Sequence, residues 1–404
     1  MTEPIRILHV LGQLNIGGAE SRIMDLYRIM DKEKVQFDFV VHGDTQGYYE
    51  NEIISLGGNV YHIPRFRMVN YLQYKSAWRK LLSSLQNEDK TSKIKMIQGH
   101  MTSTGSIYLP MAHEYGIQTS IAHARSAGVD SGIKGRLTKF LRRNISQKAD
   151  YLFTCSQIAG ISVFGKKAVE SGKTIFIPNA IDVSKFKYDP SERNRMRKEL
   201  LIDDRMVIGH VGSFRYAKNH EYVLQVFKEI LDRYPKHQHK RGFEDWNNKK
   251  PVLILLGEGS RLVQMKALAE ELGIANDVLF LGAHMNIQRY YNTMDLFIYP
   301  SRYEGLPGAV VEAQASGLKC IMSSQICDEV VATDLVTIMD IEEEPSVWAE
   351  KALELITQRT VRSSYSEMVG EAGFRASDQA ERLTKFYLSG DLKYVRTDTK
   401  EPCS

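Results

Sequence analysis

The chain has 404 residues, 43% hydrophobic and 25% charged, with a formal charge of +4. That length exceeds one ordinary hydrophobic core and points to two domains, and the composition excludes disordered and fibrous classes. The mild basic excess suits phosphate ligands or an anionic membrane surface and is too small to imply nucleic acid as a partner.

Residues 5–11 form the first apolar run, interrupted by Arg6 and His9. It is far shorter than the ~20 residues of a membrane span, and no small-residue cleavage site follows it, so it reads as a strand and not as a signal peptide. Further short β-branched or apolar runs at 37–41, 59–63, 95–99, 119–122, 151–155 and 174–178 read as buried parallel strands. Helical spacing at 19–30, 71–85 and 133–148 between them gives a βαβα series. The polar stretch 184–197 shows no strand pattern and reads as a linker. A second series begins after it, with strands at 207–211, 252–256, 278–281, 296–299, 320–322 and 336–339. Two doubly wound domains are the simplest architecture.

Residues 236–250 are rich in Lys, His and Asn and longer than such a connection needs, which marks a mobile insertion. An amphipathic helix at 378–387 precedes a polar tail from Ser389, expected to be poorly ordered. The expected division is therefore 1–183, an N-terminal acceptor-side domain; 184–370, a C-terminal donor domain; and 371–404, a helix and tail. Cys155, Cys320, Cys327 and Cys403 lie far apart without a C-x-x-C pair, the pattern of reduced thiols in a cytosolic protein.

Three strand-to-helix turns carry candidate chemistry. Gly17-Gly18 opens the first helix, and paired glycines there serve either the turn itself or the approach of a phosphate to free N–H groups. Gly212-Ser213-Phe214-Arg215-Tyr216-Ala217-Lys218 follows the first strand of the second domain, where Arg215 and Lys218 are either solvated loop cations or the neutralising charges for a diphosphate. In Ser301–Glu312, Pro307 stands at the expected first helical position, so N–H groups near Gly305, Leu306 and Gly308 can face an anion. Glu304 precedes that helix and Glu312 lies in its second turn, beside Val310, Val311 and Ala313, where a carboxylate needs a partner.

Glu304 and Glu312, seven residues apart around Glu-Gly-Leu-Pro, resemble the E-x7-E motif of retaining glycosyltransferases of family 4. The resemblance extends over nearly the whole chain through Gly17-Gly18, Ile177-Pro178-Asn179-Ala180-Ile181-Asp182, Lys218 and Gly257-Glu258-Gly259, and is nearest to bacterial capsular and exopolysaccharide enzymes. It implies the α/β GT-B fold, two Rossmann-like doubly wound domains facing across a cleft. It also implies sugar transfer with retention from a nucleotide-diphosphate donor, UDP favoured, to a glycan or polyprenyl-linked acceptor.

By the resemblance, Glu312 would hold the ribose and Glu304 the donor sugar. Gly305, Leu306 and Pro307 with Arg215 and Lys218 would hold the diphosphate, approached by Gly17 and Gly18. Ser213 and Gly257 would line the donor site, and Gly282 would lie near the base. Two positions depart from the family pattern. Ser213 stands where many members have arginine, and Arg125 stands where a donor-contacting histidine is common, with His123 two residues earlier. Both are candidates for that histidine's role.

No D-x-D follows a strand, so no metal and no cofactor beyond the nucleotide sugar is expected. Lys134, Arg136, Lys139, Arg142, Arg143 and Lys148, interleaved with apolar residues, form a basic amphipathic helix. It either meets anionic lipid at the inner face of the cell membrane or packs on the sheet with solvated cations. Two alternatives are a non-catalytic nucleotide-sugar-binding partner of another transferase and a sugar-nucleotide epimerase of similar fold.

Overall fold

The computed structural model describes residues 3–87, 94–127, 133–237, 239, 241–243, 246 and 249–396. It divides into two units, Met1–Ala180 with Ala376–Ser404, and Ile181–Arg375.

The first unit is built on β1 (Ile5–Val10), β2 (Val35–His42), β3 (Val60–Ile63), β4 (Ile94–Gly99), β5 (Thr119–Ala124), β6 (Tyr151–Thr154) and β7 (Thr174–Phe176). They pair in parallel in the order β3-β2-β1-β4-β5-β6-β7. All eight residues of β2 are buried, as expected of a strand covered on both faces. Its one carboxylate, Asp38, is tolerated there because Arg6 grips it with Nε at 2.6 Å and Nη2 at 2.5 Å while Asn59 donates from N and Nδ2. A buried charge without such partners would cost several kcal/mol, on the order of the ion-desolvation penalty.

The second unit carries β8 (Val207–Val211), β9 (Val252–Leu256), β10 (Val278–Gly282), β11 (Leu296–Tyr299), β12 (Lys319–Ser323) and β13 (Val336–Met339). Their order is β10-β9-β8-β11-β12-β13, again all parallel. Every strand expected from sequence is present, with ends displaced by at most two residues.

Three expectations change. The stretch read as a linker contains the helix Pro190–Glu199, begun by Asp189, whose carboxylate accepts from Ser191 N at 2.8 Å and Glu192 N at 3.2 Å. Apolar periodicity does not reveal this helix because polar contacts hold it: Arg193 and Arg197 reach across to Asp295 and to the carbonyl of Thr293. The insertion is not loose at Phe243 and Trp246, which are buried in the second unit's core; residues 238, 240, 244–245 and 247–248 lie outside the described residues.

The third change concerns the C-terminal segment. The helix Ala376–Ser389 belongs to the first unit, where Ala376, Ala380, Leu383, Phe386 and Tyr387 complete the core around β1 and β2. Their spacing follows the helical period and gives one apolar face. The tail is packed through Arg396: Val395 is buried, and Arg382 donates to the carbonyls of Tyr394 and Val395. Residues 397–404, Cys403 among them, lie outside the described residues. Truncating fully buried Phe386 to alanine is expected to cost the first unit about 3–5 kcal/mol, read as a lowered urea midpoint.

Candidate active site

In each sheet the chain winds outward from one central pair of strands in both directions. The pairs are β1 with β4 and β8 with β11, and loops leaving their carboxyl ends frame a natural ligand crevice.

In the second unit, the loops after β8 and β9 are laced together. Phe214 N donates to Glu258 O at 2.9 Å, Arg261 N to Phe214 O at 3.1 Å, and Gly212 N to Leu256 O at 2.9 Å. This closeness explains Gly257-Glu258-Gly259. A Cβ at Gly257 would lie 2.1 Å from Gly212 O and one at Gly259 2.5 Å from Phe214 O, and both residues have positive φ. Gly282, also at positive φ, accepts Gly257 N–H at 2.8 Å.

The loop after β8 makes a short 3₁₀ turn, Tyr216–Lys218, which left-handed Asn219 (φ 55°, ψ 44°) ends before the helix His220–His237. The turn carries Lys218 to β11. Lys218 Nζ donates to Glu304 Oε1 and to the Tyr299 hydroxyl, both at 2.5 Å, and Tyr299 donates onward to Glu304 Oε1 at 3.2 Å. His210 stacks on the Tyr299 ring, with centroids 5.4 Å apart.

Desolvation alone would lower the Lys218 pKa. The adjacent Glu304 and Tyr299 outweigh it, so the ammonium is held above its usual range. Burial, followed by the Glu304 charge, raises the Tyr299 phenol. Glu304 Oε2 has no partner among the described residues, which leaves it available to a ligand. Arg302 braces the assembly, stacking 4.1 Å from the Tyr216 ring centroid and donating to Tyr216 O at 2.7 Å. Arg215 is exposed and makes no ion pair among the described residues. Ser213 is half-buried, and its carbonyl accepts Arg215 N–H at 2.7 Å.

Pro307 is the cap of the helix Gly308–Ala315 and not its first residue, a shift of one position. Val310 and Val311 N–H return to Pro307 O, and the N–H groups of Gly308 and Ala309 have no intrahelical acceptor. Gly305 and Leu306 are buried at this start, and Gly305 O accepts from Cys327 Sγ at 3.1 Å. Glu312 is buried one turn in, and Tyr291 donates to its Oε2 at 2.9 Å.

In the first unit, Gly17 caps the helix Gly18–Ile29 with ordinary extended torsions, and a Cβ on Gly18 would meet nothing within 4 Å. A Cβ on Gly17 would lie 2.4 Å from Glu20 Oε2, so side-chain space is tight at Gly17 alone. At the ends of β4 and β5, His123 is fully buried and its Nδ1 meets Gln98 Nε2 at 2.8 Å; Gln98 Oε1 accepts from Tyr387 at 2.7 Å. Arg125 reaches the rim, its Nε on His100 Nδ1 at 3.0 Å and Nη1 on Asn179 Oδ1 at 2.9 Å, while His100 Nε2 meets His9 Nδ1 at 3.0 Å.

Comparison with known proteins decides the family. Residues 16–185 match the description "Glycosyltransferase Family 4" and residues 192–373 match "Glycosyl transferases group 1". EpsF of Bacillus subtilis (strain 168), named as a glycosyltransferase, is 33% identical over 389 residues, covering 95% of this chain and 96% of its own. The chain is a family 4 glycosyltransferase.

The capsular polysaccharide biosynthesis glycosyltransferase CapH of Staphylococcus aureus is 23% identical over 96% of this chain and all of its own. The crystal structure of Anabaena HepE in complex with UDP-glucose superposes with a TM-score of 0.73 at 15% identity, covering 96% of this chain and 100% of that one. This glycosyltransferase therefore has the GT-B fold.

Within the second unit of this glycosyltransferase, the structure gathers Lys218, Glu304 and the Gly305–Pro307 turn, with Glu312 one helical turn inward. In the first unit it separates His123 from Arg125: the histidine is fully buried, whereas Arg125 is partly exposed. Sequence reasoning did not single out Tyr299, Tyr291, Asn219 or His100. Tyr299 was the most accessible of these, as a phenol ending the strand that leads into the Glu304 turn.

Burial, with Arg125 nearby, pushes His9 down to about 3 and holds His100 and His123 well below their usual range. The folded state keeps these rings neutral, so their contribution to stability is present above about pH 6.5 and is lost as the unfolded chain takes up protons below it. Urea unfolding between pH 7.5 and 5 should show stability falling by as much as ~1.4 kcal/mol per pH unit for each ring; an unchanged midpoint would contradict neutral burial.

Proposed function

We propose that this glycosyltransferase moves a sugar, with retention and without a metal, from a UDP-sugar to a glycan or lipid-linked acceptor in the assembly of a bacterial cell-surface polysaccharide. The observation that carries this reading is the Lys218–Glu304–Tyr299 cluster beside the open start of the helix Gly308–Ala315. A fixed ammonium and outward N–H groups suit a leaving diphosphate, and the spare Glu304 oxygen suits a sugar hydroxyl. EpsF and CapH support the polysaccharide assignment through their names, and HepE supports the uridine nucleotide through its bound donor.

In the proposed reaction the bond from the sugar's anomeric carbon to the diphosphate oxygen breaks on the same face on which the acceptor oxygen attacks. The acceptor's proton passes to the departing phosphate oxygen, and Lys218 and Arg215 stabilise the charge left there. Glu312, steadied by Tyr291, holds a ribose hydroxyl. Lys218→Ala and Glu304→Ala are each expected to lower kcat about 10²- to 10³-fold, the scale of losing one preorganised charge contact. Turnover should persist in a chelator. Unchanged turnover in both variants removes these residues from the mechanism.

The basic helix supports peripheral contact with the inner face of the membrane. Over Ile133–Arg142 and the following turn, Arg136, Lys139, Arg143 and Phe140 are exposed, while Ile145 is buried against the domain; the side chain of Lys134 lies outside the described residues. No helix among the described residues is long and apolar enough to cross a membrane. Flotation with vesicles containing anionic lipid should weaken markedly on Lys139→Glu with Arg143→Glu; recovery indifferent to that reversal argues against docking.

A further inference from the structure

Arg125 lacks the carboxylate contact that three other inward-turned guanidinium groups have. Arg6 meets Asp38, and Arg193 and Arg197 share Asp295. Arg362 donates to three carbonyl oxygens, those of Ser316, Met294 and Tyr291, which fill its hydrogen-bonding positions. Arg125 has only His100 and Asn179. It forms no ion pair with a carboxylate, and its Nη2 has no hydrogen-bond partner, among the described residues.

The two partners hold the guanidinium without neutralising it. To accept from Arg125 Nε, His100 Nδ1 must be bare, so His100 carries its proton on Nε2 and donates it to His9 Nδ1. His9 then carries its own proton on Nε2, where it is buried and unpaired. All the ring partners are therefore neutral donors or acceptors in a fixed chain, and Asn179 contributes only an amide oxygen. Burial lowers Arg125 to about 10, with Glu20 among the groups that partly offset it. The side chain is nevertheless partly exposed at the carboxyl ends of the central strands of its sheet, the edge where Gly17 and Gly18 open the first helix.

We propose that Arg125, aimed by His100 and Asn179, recognises a negatively charged group on the sugar substrate itself, a carboxylate or a phosphate borne by the sugar, separate from the diphosphate of the nucleotide. This rests on the transferase reading above and narrows it: the enzyme handles an acidic sugar. An anion completes the half-made fork of Nη1 and Nη2, a geometry that matches two oxygens of a carboxylate or phosphate. A neutral sugar leaves the desolvated guanidinium with no carboxylate or phosphate in contact. His100 acts as a positioning residue, since it touches the guanidinium and fixes its plane.

The test uses the full chain and compares ligands that differ in one charged group. UDP-glucose against UDP-glucuronate reads a carboxylate, and glucose against glucose 1-phosphate reads a phosphate, by calorimetry or ligand-observed magnetic resonance. In the unaltered protein one charged ligand is expected to bind at least about tenfold more tightly than its neutral counterpart, and which pair responds identifies the source of the charge. Arg125→Gln should bring that ratio to about one while leaving UDP binding intact, and Arg125→Lys should keep part of it. Equal binding of neutral and charged ligands in both pairs, or a ratio that survives Arg125→Gln, overturns the proposal. Failure of the transferase reading looks different: no UDP-sugar binds and no sugar is transferred, while the glucose 1-phosphate comparison still reports on Arg125.

Discussion

Parallel pairing requires the chain to be carried back to the same edge before each new strand, so every strand in a parallel sheet finishes on one side of its domain. In both units of this protein all pairings are parallel. All the loops after strands, and hence all the free helix starts, are thereby collected on one edge of each sheet. The sites follow from that constraint. Lys218 and Glu304 lie 86 residues apart in sequence, yet they meet because β8 and β11 are hydrogen-bonded neighbours whose following loops emerge together.

The two units manage charge in opposite ways. In the second, Lys218 is already balanced by Glu304 and Tyr299, so the site is preorganised and loses little on waiting for a ligand. In the first, Arg125 touches a neutral ring and an amide and pairs with no carboxylate among the described residues, although the charge of Glu20 acts on it. The anion recognition proposed for Arg125 follows from that difference, because a group with two acceptor oxygens and a negative charge completes its fork.

Much of this was legible in the sequence. Most strands were visible as short apolar or β-branched runs, even where polar residues such as Arg6 and His9 interrupt them, and the E-x7-E spacing placed both glutamates at one helix start. The helix Pro190–Glu199 was hidden because arginine bridges, not an apolar face, attach it, although Asp189-Pro190 was a readable start signal. The burial of His123 was not legible: it depends on Gln98 from the neighbouring strand and Tyr387 from a helix far along the chain. The unpaired state of Arg125 is likewise a property of what surrounds it, which no local pattern records.

The helix Ala376–Ser389 gives the protein an order of manufacture. Its apolar face fills the core of a unit whose last strand, β7, ends at Phe176, so the ribosome makes the whole of the second unit before it delivers the piece that closes the first. During synthesis the first unit therefore waits with the surface around Phe37 and Phe153 uncovered, and Gln98 without the hydroxyl that orients it. The second unit has no such debt to a later segment and can fold as soon as it emerges, so the half of the chain made first is the half completed last.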